Sequence, residues 1–127
     1  MKTAQELKKW LEAFDLLHAV DTSEEAAHAM LELRDSSEFE TDYLRILNLV
    51  PDEEELGLDE EALALNNAIM RLAFKKTIGL GDSELASYVA DDFDLLARSI
   101  QAKISDPWLH LFFEQYKLGR FPCGKLL

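Results

Sequence analysis

Asp59-Glu-Glu-Ala-Leu-Ala-Leu-Asn-Asn-Ala-Ile-Met-Arg-Leu-Ala-Phe-Lys-Lys-Thr-Ile-Gly-Leu-Gly81 is the stretch that decides the fold class. Ala62, Leu63, Leu65, Ile69, Met70, Leu72, Ala73 and Phe74 recur at helical spacing, and Asp59 stands where a helix takes its N-terminal cap. The helix is expected to run to about Thr77, with Gly79 and Gly81 ending it. Its apolar residues cover much of its circumference, which predicts a central helix on which the others pack.

Downstream, a fifth helix starts near Asp82 and Ser83 and carries Leu85, Val89, Phe93, Leu96, Ile100 and Ile104. A last one follows Ser105-Asp106-Pro107, with proline early in the first turn, and includes Trp108, Leu109, Leu111, Phe112, Phe113 and Tyr116. Upstream, Asp52 to Gly57 reads as an acidic turn with room for one short helical turn ending on glycine. Before it, Ser37 with Glu40 opens a helix bearing Phe39, Tyr43, Ile46, Leu47 and Val50, closed by Pro51. Thr22 with Glu25 opens another, with Ala26, Ala27, Met30 and Leu33 as its stripe and an end near Asp35. Thr3 with Glu6 opens the first, in which Leu7, Trp10, Leu11, Phe14 and Leu17 predict a helix over about residues 4–19. Six helices on short connections, with no alternating strand pattern, predict an all-α single domain over residues 1–127, an orthogonal or bundle-like array. The tail, residues 119–127, is expected to be non-helical, and Phe121 and Pro122 favour its docking.

Composition agrees with a globular chain: 48% of residues are hydrophobic and 30% charged, with only five Gly and three Pro. The first ten residues hold no apolar run of the kind a secretory signal needs, and no run approaches the length of a membrane span, so a cytoplasmic protein with no membrane partner is expected. Cys123 is the single cysteine, which excludes an intrachain disulfide and a zinc site built on thiolates.

Charge is the most informative polar signal. The formal net charge is −12, unevenly spread: residues 21–61 hold fifteen acids against two bases, while residues 98–127 are net basic by three. Phosphate neutralisation needs a basic footprint, so nucleic acid is not the expected ligand; a basic protein partner is.

Candidate chemistry is sparse. Glu25 and His28 have the spacing that dinuclear carboxylate bundles use in duplicate, but the second pair and the further glutamates are missing; Asp15 with His18 only imitates it. Asp91, Asp92 and Asp94 resemble part of an aspartate-rich magnesium motif, yet no second acidic motif or basic cluster answers them. They read more simply as a solvated face opposite Val89, Phe93 and Leu96. Gly79-Leu-Gly81 is not a phosphate cradle, no serine sits in a nucleophile elbow, and Cys123 has no neighbouring base. No catalytic residue, metal ligand or cofactor is therefore assigned.

The assigned residues are the carboxylates Asp52, Glu53, Glu54, Glu55, Asp59, Glu60 and Glu61, joined by Asp91, Asp92 and Asp94, as a surface for a basic partner. Helix-terminal electrostatics favours acids in a first turn by about 0.3–1 kcal/mol each, which explains Asp59 to Glu61 more readily than Asp52 to Glu55. Trp108, Phe112, Phe113, Tyr116 and Phe121 read as core by their spacing, with Trp108 and Tyr116 as alternative exposed anchors.

The run Leu111-Phe-Phe-Glu-Gln-Tyr-Lys-Leu-Gly-Arg-Phe-Pro-Cys-Gly124 resembles the ending of small bacterial immunity-type proteins of polymorphic toxin systems, in which an amphipathic helix leads into Gly-x-aromatic-Pro-Cys-Gly. In those endings a tryptophan and a short strand often follow; here Lys125-Leu-Leu127 does. The resemblance implies an immunity or inhibitor protein, not an enzyme, that neutralises a toxin such as a nuclease. Three other readings stay open: a carboxylate-metal-dependent enzyme, a helical adaptor, and a DNA-mimic inhibitor. The chain is expected to be a monomer or a homodimer.

Overall fold

A computed structural model describes residues 1–127. It contains helices and connecting turns and no strand: α1 (Ala4–Ala13), α2 (Glu24–Arg34), α3 (Ser37–Leu49), α4 (Glu53–Leu56), α5 (Glu60–Ile78), α6 (Ser83–Gln101) and α7 (Pro107–Lys117). These are the six expected helices plus the short acidic turn, which forms α4. The compact all-α bundle read from the sequence is the observed architecture.

Local chemistry sets most boundaries. The side chains of Thr3, Asp59 and Asp82 each accept from a backbone N–H in the first turn of α1, α5 and α6. Asp106 accepts from both Trp108 N and Leu109 N, at 2.9 and 3.1 Å, with Pro107 opening α7. Two caps fall one residue away from the expected ones: Ser23, not Thr22, caps α2, and α3 begins at Ser37 with Ser36 before it.

The first helix is shorter than its stripe predicts. It stops at Ala13, where Phe14 becomes extended, and the Lys76 ammonium donates to the carbonyls of Leu11, Glu12 and Phe14. Those are C-terminal carbonyls with no partner in their own helix, so a cation from α5 satisfies them and favours the break. Leu16 and Leu17 still reach the core, but from a turn in which Leu17 adopts φ +60°.

The central helix is α6, not α5. Leu85, Val89, Phe93, Leu95 and Leu96 are buried around it, together with Ala86, Ala90 and Ala97, whose small side chains let neighbours approach closely. In α5 only Asn66, Ile69, Ala73 and Thr77 are buried, one stripe that faces α6 and α1, while Phe74 is exposed. A wide apolar circumference thus marks a helix at the edge of the bundle, whose second face is half-covered.

Trp108, Phe112, Phe39, Tyr116 and Phe93 form the aromatic centre of the core, so Trp108 and Tyr116 are packed inside rather than being surface anchors. The tail is docked. Phe121 and Pro122 are buried, Gly119 O accepts from Ala19 N at 3.0 Å, and Gly124 N donates to Leu33 O at 3.3 Å. No helix is long and apolar enough to cross a membrane.

Candidate partner-binding surface

The acidic segment is built by two consecutive helix starts. Asp52 accepts from Glu55 N at 2.7 Å while the Glu55 carboxylate accepts from Asp52 N at 3.4 Å, a reciprocal capping box around α4. Gly57 closes that turn at φ +62°, a left-handed conformation glycine adopts without the cost a side chain adds. Asp59 then caps α5 through Ala62 N at 2.8 Å. Asp52, Glu55 and Asp59 therefore have capping duties, whereas Glu53, Glu54, Glu60 and Glu61 cap nothing and only add favourable charge to the first turns of α4 and α5. Glu53 is half-buried, the other six are exposed, and none of the seven forms an ion pair.

The aspartates of α6 separate into three environments. Asp91 is exposed; burial of part of its carboxyl, then the charges of Asp92 and Asp94, raise its pKa above the ordinary carboxylate value. Asp94 pairs with Arg98 at 3.0 Å, and Arg98 also donates to Pro51 O at 3.1 Å, so this guanidinium ties α6 to the residue preceding the acidic segment. Asp92 departs from the expected solvated face: it has no exposed surface at all. It is removed from the contact surface, because α6 is surrounded on that side by α2, α3, α7 and the docked tail.

Asp92 instead anchors a buried ionic clasp. Arg34 Nη1 donates to its Oδ2 at 2.9 Å and Arg34 Nη2 to its Oδ1; the Tyr116 hydroxyl donates to Oδ2, and Tyr43 to Oδ1 at 3.4 Å. The same guanidinium donates to Pro122 O at 3.3 Å and lies over the rings of Phe39, Tyr43 and Phe121 at 4.4, 4.8 and 4.9 Å. Burial pushes the Asp92 carboxyl up against the pull of its donors. Burial also works against the charged Arg34, but the carboxylate beside it more than offsets this and raises the guanidinium's pKa. The two-pronged contact of guanidinium with carboxylate, with a tyrosine hydroxyl donating as well, is the geometry of an ion pair. Burial, followed by the negative charge of Asp92, raises the Tyr43 and Tyr116 hydroxyls, which stay protonated donors. The clasp joins α2, α3, α6, α7 and the tail, so its role is structural.

Other sequence candidates disperse. His28 pairs with Glu32 at 3.1 Å rather than acting with Glu25, and both partners are largely exposed. His18 packs edge-on against Phe14. No group of three or more His, Cys, Asp or Glu side chains is placed to hold a metal ion. Cys123 is half-buried, and burial raises its thiol pKa, which disfavours a reactive thiolate.

A surface feature absent from the sequence reading lies between α3 and α6. A cleft of about 440 Å³ has Tyr43, Leu44, Leu47 and Tyr88 on its walls and Asp35, Glu40, Asp91 and Asp94 around them. Leu47 belonged to the expected core stripe and Leu44 to none; both are exposed. The only available signal was that α3 carries more leucine than one buried stripe uses.

A helical body whose one buried ion pair is structural, and whose unpaired carboxylates gather outside, has the design of a protein that works through its surface. A family model described as Immunity protein PIM1 matches residues 6–123, and the chain belongs to that family. Membership places it among immunity-type proteins and not among enzymes. No match was found among curated proteins or among solved structures.

Proposed function

We propose that this chain neutralises a toxin by stoichiometric binding, using the acidic surface formed by α4 and the start of α5 against a basic face of the toxin. Family membership supports a toxin-type partner. The observation that carries the charge pairing is that Glu54, Glu60 and Glu61 are exposed without any ion pair, beside Asp52, Glu55 and Asp59, which use only part of their acceptor capacity as caps. Asp91 and Asp94 extend this surface across the Arg98 bridge to Pro51; Asp92 does not take part. Such a field attracts a basic partner over about a Debye length and raises its association rate most at low salt. Binding takes place in the cytoplasm, by a monomer or a homodimer that keeps its acidic face free. A nuclease, which carries a basic substrate channel, is the toxin chemistry that this field suits best.

The test is co-expression with candidate toxins to find the cognate one, together with association kinetics over a range of salt. The quadruple charge reversal of Glu53, Glu54, Glu60 and Glu61 to Lys should abolish protection from growth arrest, slow association by at least tenfold and flatten its salt dependence. Unchanged association in that variant would overturn the charge pairing.

A further inference from the structure

We propose that the cleft between α3 and α6 receives an arginine side chain of the protein partner, presented from an apolar stretch of its surface. The inference rests on the partner-binding reading above and names the anchor it lacks.

The cleft combines two kinds of recognition. Leu44 and Leu47 are 48% and 37% exposed on one helix face, and the half-buried rings of Tyr43 and Tyr88 stand beside them. Four apolar or aromatic side chains that one helix pair leaves partly uncovered make a contact floor that isolated surface leucines do not. Around that floor, Asp35, Glu40 and Asp91 form no ion pair. The two arginines that border the cleft are already neutralised, Arg34 by Asp92 and Arg98 by Asp94, so the charge left unanswered there is negative. Asp94, also on the cleft, is paired through Oδ2 with Arg98, which leaves Asp35, Glu40 and Asp91 as its unpaired carboxylates.

Guanidinium fits these surroundings better than ammonium. Its plane can lie on phenol rings while its fork of N–H groups meets carboxylates, and it is more weakly hydrated, so less is lost on leaving water. The fold uses the same chemistry within itself, since Arg34 is held by a carboxylate among aromatic rings. A volume of about 440 Å³ admits one long side chain and part of its neighbours. A second copy of this chain is a poor occupant, because two bodies of formal charge −12 repel each other. The cleft joins the acidic segment through Arg98, which contacts both Asp94 and Pro51, so one partner can cover both.

The experiment is an amide-resolved NMR titration of the full chain with N-acetyl-Leu-Arg-amide and with its neutral isostere N-acetyl-Leu-citrulline-amide. The arginine peptide should produce saturable shifts at residues 43–47 and 88–94, with at least tenfold weaker binding of the citrulline peptide. Asp91→Asn, an exposed position that leaves the fold intact, should weaken the arginine peptide at least threefold, and Tyr88→Ala should do the same with unchanged far-UV circular dichroism. Equal binding of the two peptides, shifts confined to residues 52–61, or concentration-dependent dimerisation through residues 43–47 would each overturn the proposal. The titration needs no toxin, so its failure removes the cleft alone. Failure of the charge-reversed α4 and α5 variant to lose protection removes the charge pairing alone.

Discussion

Replacing Asp92 by Asn removes the anion of the buried clasp at nearly constant volume; one acceptor oxygen remains where the carboxylate has two, so one of Tyr43 and Tyr116, which donate to different oxygens, loses its acceptor as well. Arg34, 4% exposed, is then left as a buried cation without its counter-charge. Breaking a buried pair by removing one partner costs about 3–5 kcal/mol. A domain of this length has a stability of order 6–19 kcal/mol, so the substitution takes away a large part of it. At about 3–5 °C per kcal/mol the loss corresponds to a fall in Tm of roughly 9–25 °C. Urea denaturation at pH 7, followed by tryptophan fluorescence, measures it directly, since Trp108 packs on Phe39 and Phe39 lies under Arg34. Arg34→Met combined with Asp92→Asn should then cost at least about 2 kcal/mol less than the two single changes summed, because neither charge is stranded. The reasoning is refuted if Asp92→Asn costs under about 1 kcal/mol, or if the two changes are additive to within about 0.5 kcal/mol.

Two further predictions concern the tail and the start of α7. Gly119 has φ +78°, and a Cβ there would lie 2.6 Å from the His18 imidazole, so Gly119→Ala should destabilise by about 1–3 kcal/mol; adding His18→Ala should return the steric part and leave the backbone part, which thermal unfolding of both variants distinguishes. The side-chain hydrogen bond from Arg45 holds the Asp106 carboxyl below the ordinary carboxylate pKa, with the N–H groups of Leu109 and Trp108 adding to it. A pKa lowered by folding stabilises fully above the unfolded value of about 3.9 and is lost as pH falls through the folded value. Asp106→Ala should therefore cost about 0.5–2 kcal/mol at pH 7, and the gap to the unsubstituted protein should narrow as pH falls below about 4. A gap that stays constant down to pH 2 in urea titrations would refute that assignment.

The helices were legible because each is written in local signals. The caps Asp59 and Asp82, Pro107 at the start of α7 and most of the stripes of α3, α6 and α7 depend on residues a few positions apart, and the structure reproduces them except at Leu47, which is exposed, and Ile104, which lies beyond the end of α6. What failed was the ranking of helices by hydrophobicity. The density of apolar positions between Ala62 and Phe74 suggested the centre of the bundle, yet α6, interrupted by three aspartates, occupies it. Burial depends on what surrounds a helix, and small residues such as Ala86, Ala90 and Ala97 permit close packing that a hydropathy pattern undervalues. The capping duties of Asp52, Glu55 and Asp59 could be anticipated from spacing, but not which neighbouring acids stay unpaired, since that depends on whether a distant cation arrives.

Asp92 shows the division most clearly. By sequence it is one of three aspartates in a row of four residues, equal in chemistry and similar in context. By structure Asp91 faces solvent, Asp94 is tied to Arg98 on its own helix, and Asp92 closes on Arg34, fifty-eight residues earlier in the chain. The sequence by itself determined the all-helical class, the helix boundaries to within a few residues at most ends, the acidic block, and the kinship visible in the run from Leu111 to Gly124. Only the tertiary structure decided which acid is buried, which helix is central, that the tail is pinned through Pro122, and that Tyr43, Leu44, Leu47 and Tyr88 border a cleft. The reason is physical: helix formation and capping are governed by neighbours along the chain, whereas desolvation and ion pairing are governed by neighbours in space, which come together only when the whole bundle closes.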